Sequence, residues 1–242
     1  MIKVGITERG DAGIDLSWVT KLNMMELAFV IVITKNLNEK FINELISYKN
    51  KLILHVTCTG YANTIYEPNV PNTQLEWLRI LINKGFPIEQ IVLRIDPIIP
   101  TINGIKLTKN VLKSFKNEGI KRVRYSFIDM YPHVAKRFAD AGLPHPYNGQ
   151  FNPTQEMINN TLNMFKLFPY YEFESCAEYT KHRLGCISYK DFEILGITIS
   201  SNIYFGSSYQ RIGCLCPSMK TELLTNRNRC SHKCLYCYCI YK

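Results

Sequence analysis

Short runs rich in Val, Ile and Leu alternate along this chain with amphipathic stretches, and that alternation confines it to a mixed α/β fold. The runs fall at 2–7, 26–34, 51–58, 90–96, 122–128 and 170–176. Each is short and largely apolar, as strands covered on both faces must be. Helical stripes lie between them. Phe41, Ile42, Leu45 and Ile46 form one within 38–49, and Leu75, Leu78, Leu81 and Ile82 form one within 73–84. Leu107, Val111, Leu112 and Phe115 form a third within 107–118, closed by Gly119 as a C-cap, and Asn152-Pro153-Thr154 opens a fourth at 154–168. A βαβ alternation implies parallel strands joined by right-handed crossovers. Six or seven strands predict a partial or closed (β/α) barrel, with an open doubly wound sheet as the alternative. No Gly-rich nucleotide fingerprint follows any strand, which counts against the second. One barrel-like domain is expected over 1–242, with 180–230 wrapping its mouth.

The 242 residues are 46% apolar, enough to bury a full core and far from a disordered composition. The net charge is +9, and its distribution is uneven. Residues 207–242 hold Arg211, Lys220, Arg227, Arg229, Lys233 and Lys242 against the single acid Glu222. A basic, Cys-rich segment of this kind suits an anionic partner, nucleic acid or a phosphorylated small molecule. The longest apolar run, residues 27–33, is a strand's length and too short to span a bilayer. No signal-peptide layout opens the chain, and its nine cysteines are an odd number. The expectation is a cytoplasmic protein whose thiols stay reduced.

In parallel α/β folds the chemistry gathers at the C-terminal ends of the strands, so polar residues there are the informative ones. The strand ends read Thr7-Glu8-Arg9-Gly10, Thr34-Lys35-Asn36, His55 to Thr59, Arg94-Ile95-Asp96, Ser126-Phe127-Ile128-Asp129 and Glu172 to Glu178. Period two puts Arg94 and Asp96 on one face, and Glu172 and Glu174 on one face. Arg94 and Asp96 could pair with each other, and Glu172 and Glu174 could close on Arg94 or Arg124; each pair could instead grip a cofactor or substrate. Thr34, Lys35, Asn36, Arg94, Asp96, Ser126 and Glu174 are the candidates for positioning. His55 reads as a core histidine, and His133 and His145 as lid residues in a Pro-containing loop. Cys58 would face the pocket, where a thiol can donate a hydrogen atom to a radical; simple burial is its competing role.

The strongest motif is Cys230-x3-Cys234-x2-Cys237, with Tyr236 before the third cysteine. Three thiolates in a tight loop can hold three irons of a cubane and leave the fourth iron open to chemistry. Two other readings compete. One is a closed zinc site, for which Cys214-x-Cys216 is too tight to be the usual second pair. The other is an electron-transfer cluster with Cys239 or Cys216 as fourth ligand. Cys176, Cys186, Cys214 and Cys216 form a possible second metal site, or are buried small hydrophobes.

The ordered set Thr34-Lys35-Asn36, Arg94 to Pro97, Ser126 to Asp129, Cys176-x-Glu178, Gly185-Cys186-Ile187, Gly213-Cys214-x-Cys216 and the terminal cysteines resembles the DUF1848 family over nearly the whole chain. The resemblance implies a radical S-adenosylmethionine (SAM) type barrel that is circularly permuted, its cluster loop arriving from the C-terminus. It further implies a 4Fe–4S cluster on Cys230, Cys234 and Cys237, with SAM on the open iron. Tyr236 and the strand-end residues would bind the cofactor, and an external donor of flavodoxin or ferredoxin type would supply the electron. An auxiliary iron–sulfur cluster is the expectation for the second cysteine set. The expected activity is hydrogen abstraction from an anionic substrate, with DNA, RNA or a nucleotide as the first guess. The alternatives are a nucleic-acid-binding protein with a structural zinc or iron–sulfur site, and a barrel hydrolase, for which no paired nucleophile and base is present.

Overall fold

The computed structural model describes residues 3–178, 180–199, 203–206, 214–226 and 229–239. Gly213, Arg211, Arg227 and Lys242 of the motifs above lie outside them. Seven parallel strands form one sheet, in the order β6-β5-β4-β3-β2-β1-β7. The six expected strands are β1 (Lys3–Ile6), β2 (Leu27–Thr34), β3 (Leu52–Thr57), β4 (Ile91–Ile98), β5 (Arg122–Phe127) and β6 (Glu172–Ser175). From β1 to β6 every strand pairs with the next in sequence, so successive crossovers step the same way across the sheet. The pairing runs as an open series from β6 to β7.

Helices flank the sheet because each carries one apolar stripe. Between the strands stand α1 (Ser17–Met24), α2 (Glu39–Ser47), α3 (Gln74–Asn83), α4 (Ile102–Phe115), α5 (Pro132–Asp140) and α6 (Gln155–Phe165). Trp18, Phe41, Leu78, Leu112 and Phe165 bury against Val30, Val32, Leu54, Leu93, Ile95 and Tyr125 in the larger core cluster. Side-chain caps start three of them. Asn38, Thr101 and Thr154 accept hydrogen bonds from the backbone N–H of Phe41, Gly104 and Met157. Gly119 takes the left-handed conformation after α4, as expected of a C-cap.

The opposite face buries Val4, Ile6, Phe29, Ile31, Ile53 and Val92. It is covered by a short helix, α7 (Tyr189–Ile194), whose Phe192 meets Phe29 edge-on at 4.9 Å, and by Ile187, Ile203 and Met219. The segment expected to wrap the mouth therefore packs largely against the sheet. Its end adds β7 (Lys220–Glu222) beside β1, a strand that sequence reasoning missed because three polar residues carry no apolar signal. Helices α1, α5 and α7 were also missed. His133 sits in the first turn of α5 and not in a loop, Pro132 having started a helix there. Helix α4 begins five residues earlier than its stripe, since Asn103-Gly104 reads as a breaker. Glycine is required at 104 because a Cβ would stand 1.8 Å from the carbonyl oxygen of Ile99. Among the described residues, no helix is long and apolar enough to cross a membrane.

Candidate functional site

The C-terminal strand ends surround a cavity of about 390 Å³. Its wall takes Glu8 and Asp11 after β1, Thr34 and Lys35 at β2, Thr57 at β3, Arg94 and Asp96 on β4, Ser126 and Asp129 at β5 and Cys176 at β6. The chain's other end closes it. Cys230, His232, Cys234, Tyr236, Cys237 and Cys239 line the same space. The terminal loop thus returns to the strand ends across more than 200 residues of sequence.

Asp11 is the hub of this closure, and it is fully buried. Its Oδ1 accepts from the Thr34 hydroxyl (2.6 Å) and Gly13 N–H (2.9 Å), and its Oδ2 from Lys35 N–H (2.7 Å). Oδ2 also meets His232 Nε2 at 2.8 Å, while His232 Nδ1 meets the Asn69 carbonyl at 3.2 Å. Both ring nitrogens face acceptors, so both carry protons and the ring is an imidazolium. Burial opposes that charge, but the Asp11 bond and charge outweigh it and raise the His232 pKa. Burial likewise opposes ionisation of Asp11, and the His232 bond and charge lower its pKa all the same.

A second anchor holds Tyr236. Lys35 Nζ donates to its hydroxyl (2.9 Å) and to Glu67 (2.8 Å), and the hydroxyl itself donates to Glu67. Thr59 completes the set with a 2.8 Å bond to Glu67. Leu235 N–H donates to the Tyr66 carbonyl, Asn69 to the Ser231 carbonyl, and Arg137 of α5 to the carbonyl of Cys237. Lys233 takes a left-handed conformation inside the loop, at φ 53°, which brings Cys230 and Cys234 around one bend. Burial pushes Cys230 up to about 11 and Cys234 up to about 12, so metal binding would have to displace their protons. Among the described residues no three His, Cys, Asp or Glu side chains converge on the position of a single ion. Thiolates that each bind a different iron of a cubane have no need to converge so.

On β4, Arg94 pairs with Asp96, and Asp96 also accepts from the Ser126 hydroxyl of β5. These three candidates are brought together on the cavity floor, with His55 buried behind them at 3.4 Å from Arg94. Burial, with Arg124 and Arg94 nearby, holds His55 well below its usual pKa, and it is a core histidine as read.

The remaining candidates lie elsewhere. Glu174 does not line the cavity; it is buried between Arg122 (3.1 Å) and Arg124, and Arg122 reaches on to Asp191 of α7 at 2.9 Å. That network clamps α7 to the sheet, which the pairing of period-two charges allowed. Cys58 also stays out. Thr57 faces the cavity, so the next residue turns to the helix side, where burial pushes its thiol up to about 11. Asn36 braces the turn after β2, its N–H on Thr34 and its carbonyl accepting from Asn38. Sequence reasoning missed Asp11, Glu67 and Lys220. Glu8, quoted as a strand end, forms an ion pair with Lys220 in the cavity wall.

A family model described as a domain of unknown function (DUF1848) matches residues 16–239. No curated protein matches the chain.

Proposed function

We propose that this chain, which belongs to the DUF1848 family, is a radical SAM enzyme built on a (β/α)-barrel wall, with its cluster loop moved to the C-terminus. One observation carries the reading: all three cysteines of the C-x3-C-x2-C loop line one cavity with the strand-end charges. Cys230, Cys234 and Cys237 would hold the cluster, and when bound it supplies the electron that splits SAM into methionine and a radical able to take hydrogen from a substrate.

The residues around the loop fit that partner. The cavity cations Lys35, Arg94, Lys220 and His232 each face a carboxylate: Glu67, Asp96, Glu8 and Asp11. Ion pairs of this kind offer an ammonium and a carboxylate new partners together, so they suit the zwitterionic amino-acid end of SAM. Lys35, Asp96 and Ser126 are the groups this reading assigns to it. Arg9 is exposed and lines the cavity, and the exposed Arg229 and Lys233 flank Cys230 and Cys234 in sequence; together they favour an anionic substrate, a nucleotide or nucleic acid. The Asp11–His232 pair keeps the cysteine loop in register with β1 and β2.

The test is anaerobic purification followed by iron and sulfide analysis and reduction in the presence of SAM. Brown protein that releases methionine when reduced, and loses both properties in Cys234→Ala, is the expected result. Colourless protein that binds nucleic acid and carries zinc in this loop would instead favour a structural site without radical chemistry.

A further inference from the structure

A second group of cysteines meets in the cavity wall and just behind it, contributed by three separate segments. Cys176 follows β6, Cys186 lies ten residues on, and Cys214 and Cys216 precede β7. Their exposures are 6%, 1%, 9% and 0%. The Cys176 and Cys186 sulfurs stand 3.1 Å apart, and the Cys216 sulfur accepts the backbone N–H of Cys186 at 3.1 Å. Cys214 stands two residues before Cys216, and both are buried in the same hydrophobic cluster as Cys176 and Cys186. The four cysteines are therefore gathered in one buried cluster, with Cys186 touching both Cys176 and Cys216.

Two features set this group apart from ordinary buried thiols. Cations flank it. Arg94 Nη1 lies 3.6 Å from the Cys186 sulfur, and Lys220 lies beside Cys186 and Cys216. Both cations also hold carboxylates, Arg94 with Asp96 and Lys220 with Glu8, and their proximity would favour the thiolate over the thiol at these sulfurs. The backbones are also pressed together. A Cβ on Gly185 would stand 2.8 Å from the Cys216 nitrogen and 2.7 Å from the Ile187 oxygen, so only glycine lets the two cysteine loops approach this closely. A backbone N–H on a cysteine sulfur is the bond that commonly supports thiolate ligands.

We propose that Cys176, Cys186, Cys214 and Cys216 form a tetrathiolate site for a soft metal, zinc or iron, separate from the terminal cysteine loop. Four sulfurs around one tetrahedral ion at about 2.3 Å are the standard closed site for either metal. The Cys176 and Cys186 sulfurs are in contact, and among the described residues no three His, Cys, Asp or Glu side chains are yet placed around one ion. Binding would draw them inward around the ion, with the four thiol protons released to solvent. The centre would fix the 185–187 and 214–216 loops against β6 and form the wall of the cavity at Cys176 and Cys214.

The proposal does not depend on the radical reading, and its test keeps the two apart. Zinc, iron and acid-labile sulfide are measured per chain in Cys230→Ala/Cys234→Ala/Cys237→Ala, and in the same chain carrying Cys214→Ser/Cys216→Ser as well. The triple variant is expected to keep about one metal centre per chain, and the quintuple variant to lose it. Sulfide in the retained centre would mark an iron–sulfur cluster, and its absence a single ion; either supports a soft-metal site. A metal-free triple variant, or a quintuple variant with undiminished metal, would overturn the proposal. So would a Cys176–Cys186 disulfide in wild-type protein purified under reducing conditions. Should the variants fail to fold, the wild type gives the answer by alkylation. The four thiols should resist labelling until a chelator strips the metal, and labelling unaffected by the chelator would count against the site.

Discussion

His232→Phe would leave the Asp11 carboxylate buried without its cationic partner. Breaking one side of a buried pair costs about 3–5 kcal/mol, and urea denaturation should show a loss of that size with less iron retained per chain. Glu174 acts in a different way, through stability and pH. Burial opposes its ionisation, but Arg124 and Arg122 outweigh that and lower its pKa to about 2. Its folded-state pKa lies below the unfolded value, so the stability it contributes is complete above about pH 4.5 and is lost as pH falls through about 2. Glu174→Gln should lower stability at neutral pH by on the order of 3 kcal/mol and flatten the acid limb of the denaturation profile. An unchanged acid limb would remove Glu174 from the clamp on α7. Glu174, like Arg94 and Asp96, was legible as a charged strand position, yet which way each charge was spent was not. Arg94 and Asp96 share a face with the cavity, while Glu174 meets arginines of the neighbouring strand, and only the pairing of β5 with β6 brings Arg122 and Arg124 opposite Glu172 and Glu174.

Among the elements, α4 depends on a single glycine. Gly104→Ala would place a methyl group against the Ile99 carbonyl and 2.9 Å from the Tyr61 hydroxyl oxygen. The first turn would have to move, at a cost of about 1–3 kcal/mol or more, visible as a lower Tm by circular dichroism with the fold retained. The long elements were readable because an apolar stripe or run identifies them. α1, α5, α7 and β7 were not read; α7 and β7 are the shortest of these, six and three residues, and take their places from contacts distant in sequence. α7 is held by the Ser188–Asp191 capping box, by Arg122 and by Phe29. β7 has no core residue of its own between Lys220 and Glu222, and it forms because β1 presents an open edge.

At the level of the whole molecule, the two ends of the chain build one site. Cys234 and Tyr236 pack in a cluster with Tyr61, Val70, Ile128 and Phe138. A chain ending at Asn226 should therefore uncover that cluster, bind a hydrophobic dye more strongly than the full chain and hold less iron, while keeping the far-ultraviolet spectrum of the sheet and helices. A cooperative loss of all secondary structure would instead make the terminal loop part of the folding core. Sequence alone determined the α/β class, the parallel strands, most of the helices and the C-x3-C-x2-C motif. Those follow from local periodicity and residue chemistry, which act over a few turns of chain. The tertiary structure decided which thiols face the cavity, that Asp11 clamps His232, and that Cys176, Cys186, Cys214 and Cys216 meet. Those contacts join residues up to 221 positions apart, and no local pattern records the approach of two segments that only the sheet brings together.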